Sequence, residues 1–257
     1  LYYWCSVHSG MGGQINTNTT FGSTNFDGSI LTKVSANTTA GFSIVTYTGN
    51  ATSGATIGHG LGSVPKVVFT KTRAISDNWL AYHVSLGATK YMTFNTTSAP
   101  STNAGGWNDT TPTSTVVTLG SFDNVNDNDT MVAYCFSEVK GYSKFGSYTA
   151  NGNADGHFTY TGFRPAWLMI KCTSHGGEWF IVDTTREVIQ PVGNKYLEAN
   201  SSGAEGSNAG KDIDILSNGF KNRAVTGFHN DPGRTYAYYA FAEAPMVASN
   251  NIIGLAR

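Results

Sequence analysis

Two nine-residue segments share one pattern: residues 130–138 read TMVAYCFSE and residues 235–243 read TYAYYAFAE. Both are rich in β-branched, aromatic and small apolar residues, which strands favour. Consecutive positions are apolar in each segment, so we expect strands that are covered on both faces. Their separation of 105 residues predicts two copies of one structural unit.

Four further blocks repeat around these segments in the same order. The offsets run from 100 to 105 residues, and the pairs are YTGN at 47–50 with YTAN at 148–151, PKVVFTK at 65–71 with PAWLMIK at 165–171, WLAY at 79–82 with WFIV at 179–182, and KY at 90–91 with KY at 195–196. Five blocks in one order, with one small insertion, predict a tandem duplication.

The blocks are short apolar runs separated by Gly, Asn, Asp and Ser clusters, which is typical of strands joined by turns. The predicted fold is all-β, with two tandem β-sandwich or jelly-roll-like repeats and an extended N-terminal arm. The predicted boundaries are an N-terminal segment at 1–40, the first repeat at 41–140, the second repeat at 141–245 and a C-terminal tail at 246–257. Residues 16–40 are polar and are predicted to be a linker or an arm laid on a neighbour. Because the central strands are apolar on both faces, we expect the repeats to share an interface.

Composition excludes several classes of protein. Of the 257 residues, 13% are charged, 12% are aromatic and 40% are hydrophobic, and the formal net charge is -1. So many aromatic residues argue against disorder, and scattered Lys and Arg argue against nucleic-acid binding. No apolar run approaches the roughly 18 residues of a membrane span. We therefore expect neither nucleic-acid binding nor membrane insertion.

Several single residues are predicted to be structural. Cys135 and Cys172 lie in apolar runs and are interpreted as buried thiols, although a bridge between them stays open. Trp79 and Trp179 occupy equivalent strand positions, which predicts that both lie in the core. His59 and His157 lie in glycine-rich turns, where a histidine is usually a hydrogen-bonded structural residue.

A resemblance adds to this interpretation. The segments that carry it are GFSIVTYTG at 41–49, GHGLG at 58–62, VAYCF at 132–136, GYSKFG at 141–146 and FRPAW at 163–167. Together they resemble a tandem β domain of structural proteins from marine bacteriophages, cyanophages included. The resemblance implies a non-enzymatic virion component, such as a tail fibre, a fibre tip or a capsid decoration. It implies a homo-oligomer, expected to be a trimer, that contacts other virion proteins and possesses no catalytic residues.

The first residues carry a second resemblance. Cys5, His8 and Met11 follow the strand-like Tyr2-Tyr3-Trp4, and their spacing resembles the C-terminal ligand loop of cupredoxins. Copper in that loop needs a thiolate, two imidazoles and a weak thioether, and the second imidazole would have to come from further upstream. The alternative is the end of a preceding cupredoxin-like unit kept for packing. Because the chain opens in the middle of this pattern, we expect it to be the C-terminal part of a longer protein.

An oxygen-rich loop is the second candidate metal site. Asp123, Asp127 and Asp129 lie within residues 122–129, and calcium prefers carboxylate and carbonyl oxygens. The loop lacks the glycine and closing glutamate of an EF-hand, so an Asx-rich turn is the favoured interpretation. No cofactor is expected overall, and copper and calcium remain alternatives.

The candidate binding residues are Trp107, Asn108 and Asp109, which lie in a Gly/Asn turn. An indole face beside amide and carboxylate groups could stack on a host-surface glycan and bond its hydroxyls. The alternative is that Trp107 fills an interface. Two other functions therefore accompany the virion prediction: a carbohydrate-binding module, and a glycan hydrolase whose carboxylate pair is not evident in the sequence.

Overall fold

The computed structural model describes residues 2–4, 12–14, 22–186, 194–225, 227 and 229–243, and the fold is all-β. The N-terminal strands are β1 Tyr2–Trp4, β2 Gly12–Gln14, β3 Ser23–Asn25 and β4 Thr32–Asn37. The first unit continues with β5 Phe42–Thr48, β6 Thr56–Gly58, β7 Val67–Thr72, β8 Leu80–His83, β9 Lys90–Thr93, β10 Ser101–Thr102, α1 Ala104–Trp107, β11 Val116–Thr118, α2 Asp123–Asn126 and β12 Thr130–Phe136. The second unit has β13 Ser143–Thr149, β14 Phe158–Tyr160, β15 Trp167–Cys172, β16 Trp179–Asp183, β17 Lys195–Glu198, β18 Gly206–Ser207, a 3₁₀ turn Ala209–Lys211, β19 Ile213–Leu216, β20 Gly219–Asn222 and β21 Thr235–Phe241.

Each unit combines a large sheet with a small one. In the first unit the large sheet has the order β10-β9-β8-β7-β12-β5-β4-β3, and the small sheet is β11-β6. In the second unit the orders are β18-β17-β16-β15-β21-β13 and β14-β20-β19. Six strands of the large sheets therefore occur in the same order, as the tandem repeat predicts. The two-residue turn of the β19–β20 hairpin is Ser217-Asn218.

Two tyrosines in equivalent positions show how the sequences of the two units align. The hydroxyl of Tyr47 donates to the Val125 carbonyl at 2.6 Å, and that of Tyr148 donates to the His229 carbonyl at 2.7 Å. Both tyrosines are buried near the end of the first strand of their unit. The offset of the two first strands is therefore 101 residues.

Part of the predicted N-terminal linker is regular structure. β4 pairs antiparallel with β5, and β3 pairs with β4, so both strands extend the first unit's own sheet. Val34 is buried, and the Thr32 hydroxyl donates to the Gly58 carbonyl at 3.1 Å. The prediction of a linker is therefore corrected for residues 23–37. The alternation of Thr32 and Val34 with exposed polar residues is a two-residue period that the polar composition of the segment concealed.

Each unit has its own sandwich core between its two sheets. In the first unit this core includes Val45, Ile57, Val117, Ala133 and Cys135. In the second it includes Ile170, Phe180, Phe220, Tyr236 and Tyr238. Alternate residues of a strand point to opposite faces, so the intervening residues of the large sheets lie on the other side.

Those intervening residues form a third core that joins the units. Val67, Ala81 and Met92 of the first unit pack with Trp179 and Tyr239 of the second in one buried cluster. The indole Nε1 of Trp179 donates to the Thr93 carbonyl of the first unit at 3.2 Å. The molecule is thus four layers deep, with small sheets outside and large sheets inside, which confirms the predicted shared interface.

The predicted core residues are confirmed with one exception. Cys135 and Cys172 are free, buried thiols in β12 and β15, and burial raises the pKa of Cys135 to about 12. Trp179 is fully buried, whereas Trp79 precedes β8 and is only half-buried against Tyr134. None of the helices in the described ranges has the length and apolar character that a membrane crossing would need.

Candidate functional site

Trp107 does not offer a face to a ligand. Its side chain is 1% exposed and lies in the first unit's core, where its ring meets that of Tyr82 edge to face at 5.9 Å. The predicted stacking of a glycan on Trp107 is therefore corrected. Its neighbours lie at the surface: both Asn108 and Asp109 have positive φ angles, and the side-chain Oδ1 of Asn108 accepts a bond from the Ser53 hydroxyl at 2.9 Å.

Two close backbone approaches explain why the indole turns inward. The Gly105 carbonyl accepts from the Phe122 N–H at 3.0 Å, and the Gly106 carbonyl accepts from the Gly120 N–H at 2.9 Å. A Cβ on Gly105 would lie 2.4 Å from the Phe122 ring, so only glycine fits there. The loop before α2 therefore closes over α1 and holds Trp107 against the core.

The candidate metal ligands are not brought together in the described residues. Cys5, His8 and Met11 lie outside them. Asp127 and Asp129 accept bonds from the N–H of the next residue at 2.7 and 2.9 Å, and Asp123 lies at the start of α2. Across the described ranges there is no group of three or more His, Cys, Asp or Glu that could hold a metal ion.

The buried histidines support the fold. His59 accepts from the Leu61 N–H at Nδ1, and its Nε2 lies 3.2 Å from the Thr113 carbonyl. Burial lowers the pKa of His59, so its ring is neutral and can donate from Nε2. This is the structural role that the turn predicts. His157 is exposed and stacks on Tyr148 at 5.8 Å.

The first unit carries an open polar cleft of about 310 Å³ beside α2. We call it the Asx cleft, and its main lining residues are Asp77, Asn78, Tyr91, Phe122, Asp123 and Asn124. The turn before β8 supplies the first two, β9 supplies the tyrosine, and α2 with its preceding residue supplies the rest. A concave site with convergent polar groups is the usual form of a small-ligand site.

Aromatic and polar groups meet in the Asx cleft. The rings of Tyr91 and Phe122 pack edge to face at 5.4 Å, and both are half-buried. The buried Asn124 Oδ1 has no hydrogen-bond partner among the described residues. The exposed Asp123 lies beside it. Carboxylate and amide oxygens accept hydroxyl protons, and aromatic edges and faces contact C–H groups, so the chemistry suits a sugar.

Sequence reasoning missed this cleft because its parts are distant along the chain. Two Asp-Asn pairs, at 77–78 and 123–124, are the signal that could have indicated it. Only the packing of α2 against β7 and β12, with Phe122 against Tyr91 of β9, brings the pairs to one cleft. Asp77 and Asp123 both line it, and a glycan hydrolase uses a pair of carboxylates on one cleft.

Fold and surface together define a tandem double sandwich with a shared aromatic core and the Asx cleft on its first unit. A family model described as a domain of unknown function, DUF7483, matches residues 16–245. The chain therefore belongs to the DUF7483 family. No curated protein and no solved structure matches the chain.

Proposed function

We propose that the chain is a non-enzymatic structural module of a bacteriophage virion, in a tail fibre, a fibre tip or a capsid decoration. In this role it assembles with copies of itself, with a trimer as the expected state, and contacts other virion proteins. The observation that supports the proposal best is the third core, which fuses two copies of one sandwich into a single four-layer body. A rigid, low-charge body of this kind suits a part that bears load and packs against its own copies.

The test is to locate the chain in particles. Purified virions of the phage that encodes the chain are labelled with an antibody against residues 22–243 and viewed by immunogold electron microscopy. We expect label at one position on the particle, and peptides of the chain in mass spectra of the same particles. A chain that is abundant in infected cells but absent from washed particles would contradict the proposal.

Host-glycan binding is the second candidate, and the Asx cleft is the observation that favours it. Asn124, the exposed Asp123 and the Tyr91–Phe122 pair all line the cleft. On this proposal the cleft takes one sugar unit of a surface polysaccharide, with hydroxyls donating to the oxygens. Binding and structural roles are compatible, because a fibre tip does both.

We expect Asp123→Ala to weaken glycan binding at least tenfold, since a hydrogen bond to a charged group contributes about 1.5–3 kcal/mol. Binding is measured on an array of bacterial surface polysaccharides and then by calorimetry. Asp109→Ala is the matched control, because Asp109 is exposed on the same unit outside the cleft, and it should bind like the wild type.

Equal binding by Asp123→Ala and wild type would exclude the cleft. If only Asp109→Ala lost glycan binding, the binding site would instead be the turn at Asn108 and Asp109. Release of new reducing ends from the bound polysaccharide, abolished by Asp77→Asn or Asp123→Asn, would replace both proposals with a hydrolase.

A further inference from the structure

The two large sheets differ at one edge. In the first unit β5 lies between β12 and β4. The equivalent strand of the second unit, β13, has β21 on one side, and none of the described strands pairs with its other side. The internal repeat therefore shows, within one molecule, the same edge with and without a strand.

Hydrogen bonds identify the backbone groups that face the open side of β13. The Tyr142 carbonyl accepts from the Ala242 N–H, and the Ala150 N–H donates to the Arg234 carbonyl. The backbone N–H and C=O groups of the even-numbered residues of β13 therefore point toward β21, and those of the odd-numbered residues point to the other side of the strand. At the start of the strand the outward N–H groups are used within the chain: that of Ser143 donates to the Val139 carbonyl at 2.9 Å, and that of Phe145 donates to the Glu138 carboxylate at 3.0 Å.

The second half of the edge is open. The outward N–H groups of Ser147 and Thr149 have no partner in the described part of the chain. By the offset of 101, Ser147 corresponds to Thr46, which lies opposite Lys33 of β4. Beside Ser147, none of the described residues takes the position that β4 occupies in the first unit.

A cleft lies next to the place of the missing side chain, toward the start of β13. Gly60 has φ +68°, and a Cβ added there would lie 2.9 Å from Cγ1 of Val34, so Val34 covers this glycine. Gly162 lies two residues after β14, as Gly60 lies two residues after β6. It has φ +86° and lines an open cleft of about 380 Å³ instead. Tyr160 and Lys144 border that cleft, and Tyr160 is 63% exposed. In the second unit nothing among the described residues takes the place of Val34.

The linker between the units explains the difference. Only six residues separate the end of β12 from the start of β13, and β12 is itself paired with β5 and β7. Residues Ser137 and Glu138 can therefore replace only the last part of β4. The remaining length of the edge has no strand from the preceding chain.

We infer that the open edge of β13 binds an extended segment of a partner polypeptide, antiparallel to β13 and seated as β4 is seated on β5. Such a segment carries a β-branched apolar residue between polar ones, as Val34 lies between Lys33 and Ser35. Its backbone bonds to Ser147 and Thr149, and its apolar side chain fills the cleft over Gly162 beneath Tyr160. Addition of a strand to a sheet edge is a recurrent mode of peptide recognition. The inference rests on sheet geometry and is independent of the proposed virion role.

The probe is a fluorescein-labelled synthetic peptide with the sequence of residues 31–38, LTKVSANT, titrated with the full chain by fluorescence anisotropy. We expect saturable binding to the wild type. Ser147→Pro removes an outward N–H without breaking a bond to β21, and should weaken binding at least tenfold. Ser147→Ala keeps that N–H and should bind within twofold of the wild type.

A second pair of probes covers the case in which Ser147→Pro does not fold. N-methylation of the peptide at Lys33 blocks the N–H that faces β13 and should abolish binding to the wild-type chain. N-methylation at Val34 blocks an N–H that faces away and should not. Absence of saturable binding, or equal binding to the wild type and to a folded Ser147→Pro variant, would overturn the inference.

Two other occupants would give distinct results, and each would overturn the assignment to a partner. A second copy would appear in native mass spectra as a dimer that Ser147→Pro dissociates and to which the peptide does not bind. The chain's own residues 246–257 would be indicated if the peptide bound only after their removal.

Discussion

Trp179→Ala should lower the free energy of unfolding by about 3–5 kcal/mol, the range found for removal of a large buried aromatic side chain. The indole is fully buried in the third core, packs against Phe94 at 4.9 Å and Tyr239 at 5.9 Å, and donates to the Thr93 carbonyl. Its removal leaves a cavity between the units and removes one of the hydrogen bonds that the Thr93 carbonyl accepts. The loss should be measured by urea unfolding followed by far-UV circular dichroism.

Trp79→Ala is the matched control, since Trp79 is the equivalent residue of the first unit. Trp79 is half-buried and stacks on Tyr134 alone among the described rings. We expect Trp79→Ala to lower the free energy of unfolding by less than half as much as Trp179→Ala does. Equal losses would show that the third core does not stabilise the molecule more than a surface aromatic contact does.

Acidification from pH 6.5 to pH 4 should destabilise the protein through two buried histidines. Burial lowers the pKa of His83 to about 4 and that of His229 to about 4. In the unfolded chain these two histidines become protonated as the pH falls through about 6.5, whereas in the folded chain they stay neutral until about pH 4. The neutral rings therefore contribute their full stability above pH 6.5, and this contribution is lost as the pH falls to 4. By linkage the loss is on the order of 3 kcal/mol for each histidine.

Both rings are held in place by hydrogen bonds with the backbone. His83 accepts from the Ser85 N–H at 3.1 Å, and its Nε2 lies 3.3 Å from the Tyr238 carbonyl of the other unit. Nε2 of His229 lies 3.1 Å from the Lys211 carbonyl. Protonation of His83 would break its bond from Ser85 inside the third core.

The measurement is the free energy of urea unfolding at pH 7.0, 6.0, 5.0 and 4.0. His83→Gln and His229→Gln should each reduce the slope of stability against pH between 6.5 and 4. His157→Gln is the control, because His157 is exposed, and it should follow the wild type. A slope that none of the buried-site variants changes would contradict the assignment.

Much of the fold was predictable because the same strand pattern occurs twice. Apolar residues at consecutive positions of 130–136 and 235–241 imply that both faces are covered, and the third core meets that requirement. The burial of Cys135 and Cys172 follows from the same runs. These inferences depend on the two-residue period of a strand, which is a local property of the chain.

The site residues were less predictable because their environment is not local. Trp107 lies in a turn by composition, yet two glycines let a loop close over it and bury the ring. The sequence makes Asp123 a candidate calcium ligand, whereas packing places it in a cleft with Asp77 and Tyr91. Which side of a short turn faces the core depends on contacts that span many residues.

The sequence by itself determined the duplication, the all-β class and the covered central strands, because repeats and side-chain periodicity can be read directly from the order of residues. Only the tertiary structure decided that residues 23–37 belong to the first sheet, that Trp107 is buried and that one side of β13 has no partner strand in the described part of the chain. The physical reason is that strand pairing and loop closure satisfy backbone hydrogen bonds between distant segments. A strand lies at the edge of a sheet when no other strand pairs with one of its sides, and the sequence of the strand itself does not show this.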